Sequence, residues 1–153
     1  MADMLFPDDY GIEQKKQNYE YYEKITTHDS SLSRSIFGIL AAKLGYQKKS
    51  EDYFMATALT DLIDLQGNTE DGLHMANLGG SWLGLVYGFA GLEVSAQSIS
   101  INNHLPASWP KLQFEISYQS RKLLINLNHV EDQITRVSGV PIDVRLNGHV
   151  YRI

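Results

Sequence analysis

The chain has 153 residues, a formal net charge of -5, a 43% share of hydrophobic residues and no cysteine. That length holds one domain or two small ones with a real core, and the lack of cysteine excludes a disulfide framework or a thiolate metal site and fits a reducing compartment. The Lys and Arg residues are scattered and make no basic stripe, which argues against nucleic acid as a partner; the longest strongly apolar stretch, near Trp82 to Leu92, is too short and glycine-rich for a membrane span.

In chain order, Met1 to Tyr10 shows no basic region followed by an apolar run, so no signal peptide is read and cytoplasm is the expected location. A first helix is predicted from about Tyr10 to Lys24, with Asp8 and Asp9 placed to cap it and a weak, tyrosine-rich apolar face. A second runs from about Leu32 to Leu44; Leu32, Ile36, Ile39, Leu40 and Leu44 share one face and Gly45 follows as the C-cap. A third runs from about Ser50 to Leu62. A fourth, from about Asp71 to Phe89, is apolar nearly all round, so it must be covered on several sides.

Near Val94 the period changes. Leu112, Phe114, Ile116 and Tyr118 alternate with polar residues as in a half-buried antiparallel strand. Ser120-Arg121 is expected to turn the chain into Leu123, Ile125 and Leu127, and a further strand is expected over Gln133 to Val137. Ile142, Val144 and Leu146 alternate again, and Asn147-Gly148 is a two-residue hairpin signal into Val150 to Ile153.

Three strings could carry chemistry. Thr26 to Ser33, Thr-Thr-His-Asp-Ser-Ser-Leu-Ser, gathers hydroxyls, an imidazole and free backbone N–H groups at a helix start, a cradle for an anion such as phosphate. The plain alternative is that Asp29, Ser30 or Ser31 caps the helix. Asn68 to His74 enters the fourth helix, where His74 can donate to an anion or be a hydrogen-bonded structural residue. Gly79-Gly80-Ser81-Trp82 puts a glycine pair inside a helix, which needs close packing or a ligand as its reason. No phosphate-binding loop, dinucleotide fingerprint or zinc helix is present, and no spacing singles out Asp29, Glu70 and Asp71 as a catalytic carboxylate pair.

Taken together these strings resemble glycoside hydrolase family 65, the maltose phosphorylase group. The resemblance rests on Thr26 to Ser33, on Asp64-Leu65-Gln66-Gly67-Asn68-Thr69 with Asp71-Gly72-Leu73-His74, on Gly79 to Trp82, on Tyr87 to Leu92, and on the Asn-x-x-Leu-Pro-x-x-Trp string ending at Trp109. It covers essentially the whole chain. It implies an α+β chain: helical hairpins from the end of an (α/α)6 barrel over residues 1–93, followed by a small antiparallel β-sandwich domain over 94–153. It also implies inverting phosphorolysis of an α-linked glucose disaccharide such as maltose, trehalose or kojibiose, with inorganic phosphate as co-substrate and no further cofactor or metal. The phosphate contacts it implies are His28, Ser30, Ser31 and His74, joined by Thr27, Gly80 and Ser81. The family's general acid lies upstream of the Thr-His-Asp-Ser-Ser loop, so no catalytic acid is expected here, and Ala2-Asp3 matches the inside of a Lys-Gln-Ala-Asp string. The chain is then a C-terminal fragment without turnover of its own. The alternative is a non-catalytic module or an oligomerising remnant; a homo-oligomer is expected in either case, burying the face of Leu78, Leu85 or Phe89.

Overall fold

The computed structural model describes residues 10–153; the Asp8 and Asp9 caps and the Ala2-Asp3 match lie outside them. Helix α1 spans Ile12–Ile25, α2 Ser31–Lys43, α3 Gln47–Ala58 and α4 Met75–Leu83, the last running on as a π-helical turn over Gly84–Phe89. Helices precede a small, mainly antiparallel sheet unit, and the chain divides between Gly88 and Phe89.

The weak face of α1 buries one residue, Tyr19, which packs on Leu40 and Ala41 of α2 and stacks on Tyr46 at 5.4 Å. Helix α2 ends as its sequence requires, with Gly45 at φ 80 just beyond it. Two boundaries differ from expectation. Helix α3 begins at Gln47 and stops at Ala58, with turns carrying the chain on through Gln66. The fourth helix starts at Met75 rather than Asp71. Thr69–Asp71 form a single 3-10 turn, and Gly72 at φ 133 cannot continue a helix. Asp64 holds that loop: its Oδ1 accepts from the Thr69 N–H at 3.0 Å and the Thr69 hydroxyl at 2.8 Å.

Small residues set the helix polarity. A Cβ at Gly80 would lie 2.8 Å from Ser35, and one at Gly88 would lie 3.4 Å from Ile39. Position along α4 thus rises with position along α2, so the two helices run side by side in the same direction. Helix α3 runs against both. Gly38 meets Tyr53, and Gly84 meets Phe54, while Asn77, nearer the start of α4, donates its Nδ2 to the Thr57 carbonyl at 2.7 Å, near the end of α3. That buried bond is a short one to a helix-end carbonyl that the Thr60 N–H reaches only at 3.4 Å. The N-termini of α2 and α4 therefore lie at one end of the helical unit, beside the C-terminus of α3.

In the second unit, β1 (Glu93–Val94), β2 (Ile99–Ile101), β6 (Asp143–Leu146) and β7 (His149–Arg152) form one sheet in the order β1-β2-β6-β7. Strands β3 (Lys111–Tyr118), β4 (Arg121–Asn128) and β5 (Gln133–Ser138) form the other. Every pairing is antiparallel except β2 with β6, which is parallel. The β3–β4 turn is Gln119-Ser120, both at positive φ, and not Ser120-Arg121, since Tyr118 already pairs with Arg121. Asn147-Gly148 forms the expected tight hairpin, at φ 48 and 85. Phe114, Leu123, Ile125, Leu127, Ile134, Ile101 and Val144 fill the core. Phe89 is buried here too, its ring 5.0 Å from Trp109, so it is not part of an open helical face.

Candidate functional site

The loop before α2 is held from within. His28 sits at φ 57, with its Nδ1 3.0 Å from the Ser33 hydroxyl and its Nε2 3.0 Å from the Tyr53 hydroxyl, edge-on to Phe37. Both ring nitrogens therefore have protein partners. Burial and then the Arg34 charge lower the pKa of His28, so the neutral ring is favoured. Tyr53, pushed up to about 12 by burial and by the Glu23 carboxylate, stays protonated and can donate to that ring. The Thr27 hydroxyl donates to Asp29 Oδ2 at 2.8 Å.

Ser30 is the N-cap of α2 but makes no side-chain capping bond, and no acidic residue follows in the first turn. The first-turn N–H groups of α2 are thus left without a side-chain acceptor, so the capping alternative fails at Ser30. Ser31 opens the helix. Arg34 adds a buried Nη1 with no hydrogen-bond partner among the described residues.

At the neighbouring helix start, His74 is the N-cap of α4. Asp61, with a side chain 7% exposed, clasps it from the far end of α3: Oδ1 takes the ring Nδ1–H at 2.6 Å and Oδ2 the backbone N–H at 2.9 Å. The His74 bond is the main reason the Asp61 carboxyl is held below the usual carboxylate range. Nδ1 is therefore the protonated nitrogen facing Asp61, and Nε2 faces no partner among the described residues.

Of the residues singled out in the sequence, Ser30, Ser31 and His74 lie at the two helix starts that share one end. Ser81 lies two turns along α4, with its hydroxyl bonded to the Asn77 carbonyl at 3.2 Å. Gly80 is buried against Ser35, which accounts for it by packing alone, while Gly79 has open space where a Cβ would go. Gly80→Ala should therefore cost about 1–3 kcal/mol through overpacking, whereas Gly79→Ala should gain up to about 1 kcal/mol from helix propensity. Urea unfolding of the two variants checks this, and equal signs would refute the packing role. Asp61 and Arg34 were not foreseen. Each acts through tertiary contact, and Asp61 lies in a stretch whose pattern predicts helix.

The fold and site define a class: a helical module that sets two parallel helix N-termini beside a carboxylate-oriented histidine, followed by a small β unit. Two family models match this chain, the glycosyl hydrolase family 65 central catalytic domain over residues 1–83 and the family 65 C-terminal domain over residues 92–153. The chain belongs to glycosyl hydrolase family 65. It is 39% identical to an alpha,alpha-trehalose phosphorylase of Geobacillus stearothermophilus over 100% of its own length and 20% of the relative's. It is 37% identical to the maltose phosphorylase of Bacillus subtilis (strain 168) over 93% of its length and 19% of the relative's. A solved structure from the human microbiome with a kojibiose phosphorylase assignment matches with a TM-score of 0.92 at 30% identity, over 99% of this chain and 22% of that one. The chain thus spans about a fifth of the length of the curated relatives it matches. Among the described residues no helix is long and apolar enough to cross a membrane.

Proposed function

We propose that this chain supplies the phosphate-holding end of a site for inverting phosphorolysis of an α-linked glucose disaccharide of the maltose, trehalose or kojibiose type. The supporting observation is the shared end of α2 and α4, where an uncapped helix start carrying Ser30 and Ser31 neighbours a histidine whose Nε2 is unengaged. Two helix dipoles and a set of N–H and O–H donors there favour an anion. In the reaction, a phosphate oxygen bonds to the anomeric carbon as the glycosidic C–O bond breaks, and a general acid gives its proton to the departing oxygen. The phosphate takes the place of the base-activated water of an inverting hydrolase. His28, with both nitrogens engaged, holds the loop in shape.

In this reading the acid belongs to a part of the family's domain upstream of the Thr27–Ser31 loop. General acid catalysis is worth about 10²–10⁴-fold, and this chain carries only part of a sugar pocket. The isolated chain, incubated with phosphate and maltose, trehalose or kojibiose, should therefore release no glucose 1-phosphate above the no-protein control. Turnover on the scale of its full-length relatives would overturn the reading.

One observation favours a second reading, that of an oligomerising module: Leu62 is 79% exposed, Met75 70% and Leu78 42%, all in the helical unit. Large apolar side chains left this exposed fit a contact site where they gather into one patch. Light scattering should then show a species larger than one chain, which Leu62→Glu with Met75→Glu returns to monomer.

A further inference from the structure

The β unit contains a cleft that the phosphate-site reading does not use. Its two sheets are unequal: β7 is the outer strand of the four-stranded sheet, and β5 is the outer strand of the three-stranded sheet. The inner side of β7 and the start of β5 line one cleft. The register shows which side chains occupy that inner side, because Tyr151 pairs with buried Val144 and His149 pairs with buried Leu146. A cavity of about 390 Å³ results, floored by Ile134 and Val144 and rimmed by Glu131, Gln133, His149 and Tyr151. That volume falls in the range of small-ligand pockets, about 300–1,000 Å³.

Inner positions of a sandwich are ordinarily apolar. Here they hold a tyrosine and a histidine, beside the Glu131 carboxylate just before β5, while Gln133 alternates with buried Ile134 and lies on the other face of that strand. Among the described residues, no hydrogen bond or ion pair engages the side chains of Glu131, Gln133, His149 or Tyr151. An added strand would bury Glu131, His149 and Tyr151 without partners, at a cost of about 1–3 kcal/mol each. A ligand that is itself both apolar and rich in hydroxyls would satisfy them.

The cleft floor is fixed. Asp132 accepts from Asn103 Nδ2 at 2.8 Å, from the Asn128 N–H at 3.0 Å and from Asn147 Nδ2 at 2.8 Å, which ties the start of β5 to the β6–β7 turn. No Lys or Arg lines the cavity, and Glu131 and Asp132 make it negative. Phosphate and sugar phosphates are therefore disfavoured.

We propose that this cleft binds a pyranose unit of a neutral saccharide. The C–H face of the sugar lies on Tyr151 and the apolar floor, and Glu131 and His149 take hydroxyls. An aromatic ring with an apolar face and a polar tip suits such a mixed surface. Only the choice of probe rests on the proposed function, so the phosphate reading stands or falls on its own experiments.

The test is a titration of the ¹⁵N-labelled chain with maltose, read from amide resonances. Saturable shifts confined to residues 131–134 and 149–153, with a dissociation constant on the order of millimolar, are expected. Tyr151→Ala and Glu131→Gln should each weaken binding about tenfold or more, equivalent to ~1.4 kcal/mol, while leaving the remaining amide spectrum in place. Three outcomes overturn the proposal: no saturable shift, shifts that survive Tyr151→Ala, or equal binding of glucose 1-phosphate. Shifts at these residues that depend on protein concentration without sugar would also overturn it, by assigning the cleft to a second copy.

Discussion

Gly91→Ala should destabilise the β unit by about 3 kcal/mol, combining a left-handed backbone cost with overpacking. Gly91 lies at φ 57, and a Cβ there would fall 2.2 Å from the Asn102 carbonyl oxygen and 2.9 Å from His104. The neighbouring backbone is strapped down. The Asn102 N–H donates to the Ala90 carbonyl at 3.2 Å and the His104 N–H donates to the Phe89 carbonyl at 2.8 Å. A backbone oxygen so held cannot swing aside as a side chain would, so the strain must open the strap. Gly148→Ala is the matched comparison. Its φ is 85, but nothing lies within 4 Å of the added carbon, so only the left-handed cost of about 1–2 kcal/mol applies. With urea slopes of about 1–3 kcal/mol per molar, the Gly91 variant should lose visibly more of its unfolding midpoint than the Gly148 variant. Equal losses would refute the close-approach account.

The features legible in the sequence were those with a local cause. Alternation in Leu112 to Tyr118 and in Ile142 to Leu146 located strands because the pleat repeats every two residues, and Asn147-Gly148 located a hairpin because few other pairs accept two positive φ values. Gly45 ended α2 for the same kind of reason. The misplaced start of α4 had a non-local cause. The fourth helix reads as continuous from Asp71, and only the clasp of Asp64 on Thr69 and the turn at Gly72 stop it short. The same limit applies to the site. Ser30, Ser31 and His74 were legible as helix-start residues, but Asp61 lies thirteen positions before His74 and meets it only because α3 runs against α4. The parallel course of α2 and α4 likewise depends on Gly80 and Gly88, whose value lies in what they touch and not in their spacing.

Asp61→Asn should weaken inorganic phosphate binding about fivefold to tenfold while leaving the fold intact, and His74→Ala should weaken it about tenfold to a hundredfold. The second figure is the ~1.5–3 kcal/mol typical of a hydrogen bond to a charged group. The first is smaller because Asp61 acts on the anion through His74. As the wild-type carboxylate accepts the Nδ1–H at 2.6 Å, it fixes the tautomer and leaves Nε2 outward. An amide in its place can offer an N–H as readily as an oxygen, which permits the other tautomer. The backbone bond from His74 to Asp61 at 2.9 Å also positions the first turn of α4, so a purely structural loss must be separated from this effect. The ring nitrogen shifts of His74 do so, because Asp61→Asn should change the Nδ1 and Nε2 signals without unfolding, and rescue by Asp61→Glu should be partial. The pH dependence has a definite sign. Because the Asp61 carboxyl is depressed, its clasp is complete above the ordinary carboxylate value of about 4 and is lost as pH falls through the lowered value. Phosphate binding followed by ³¹P resonance should therefore keep its Asp61 contribution from neutral pH down to about pH 5, and the difference between wild type and Asp61→Asn should vanish only in stronger acid. A difference that disappears already near neutrality, or binding unchanged by His74→Ala, would remove His74 from the phosphate site.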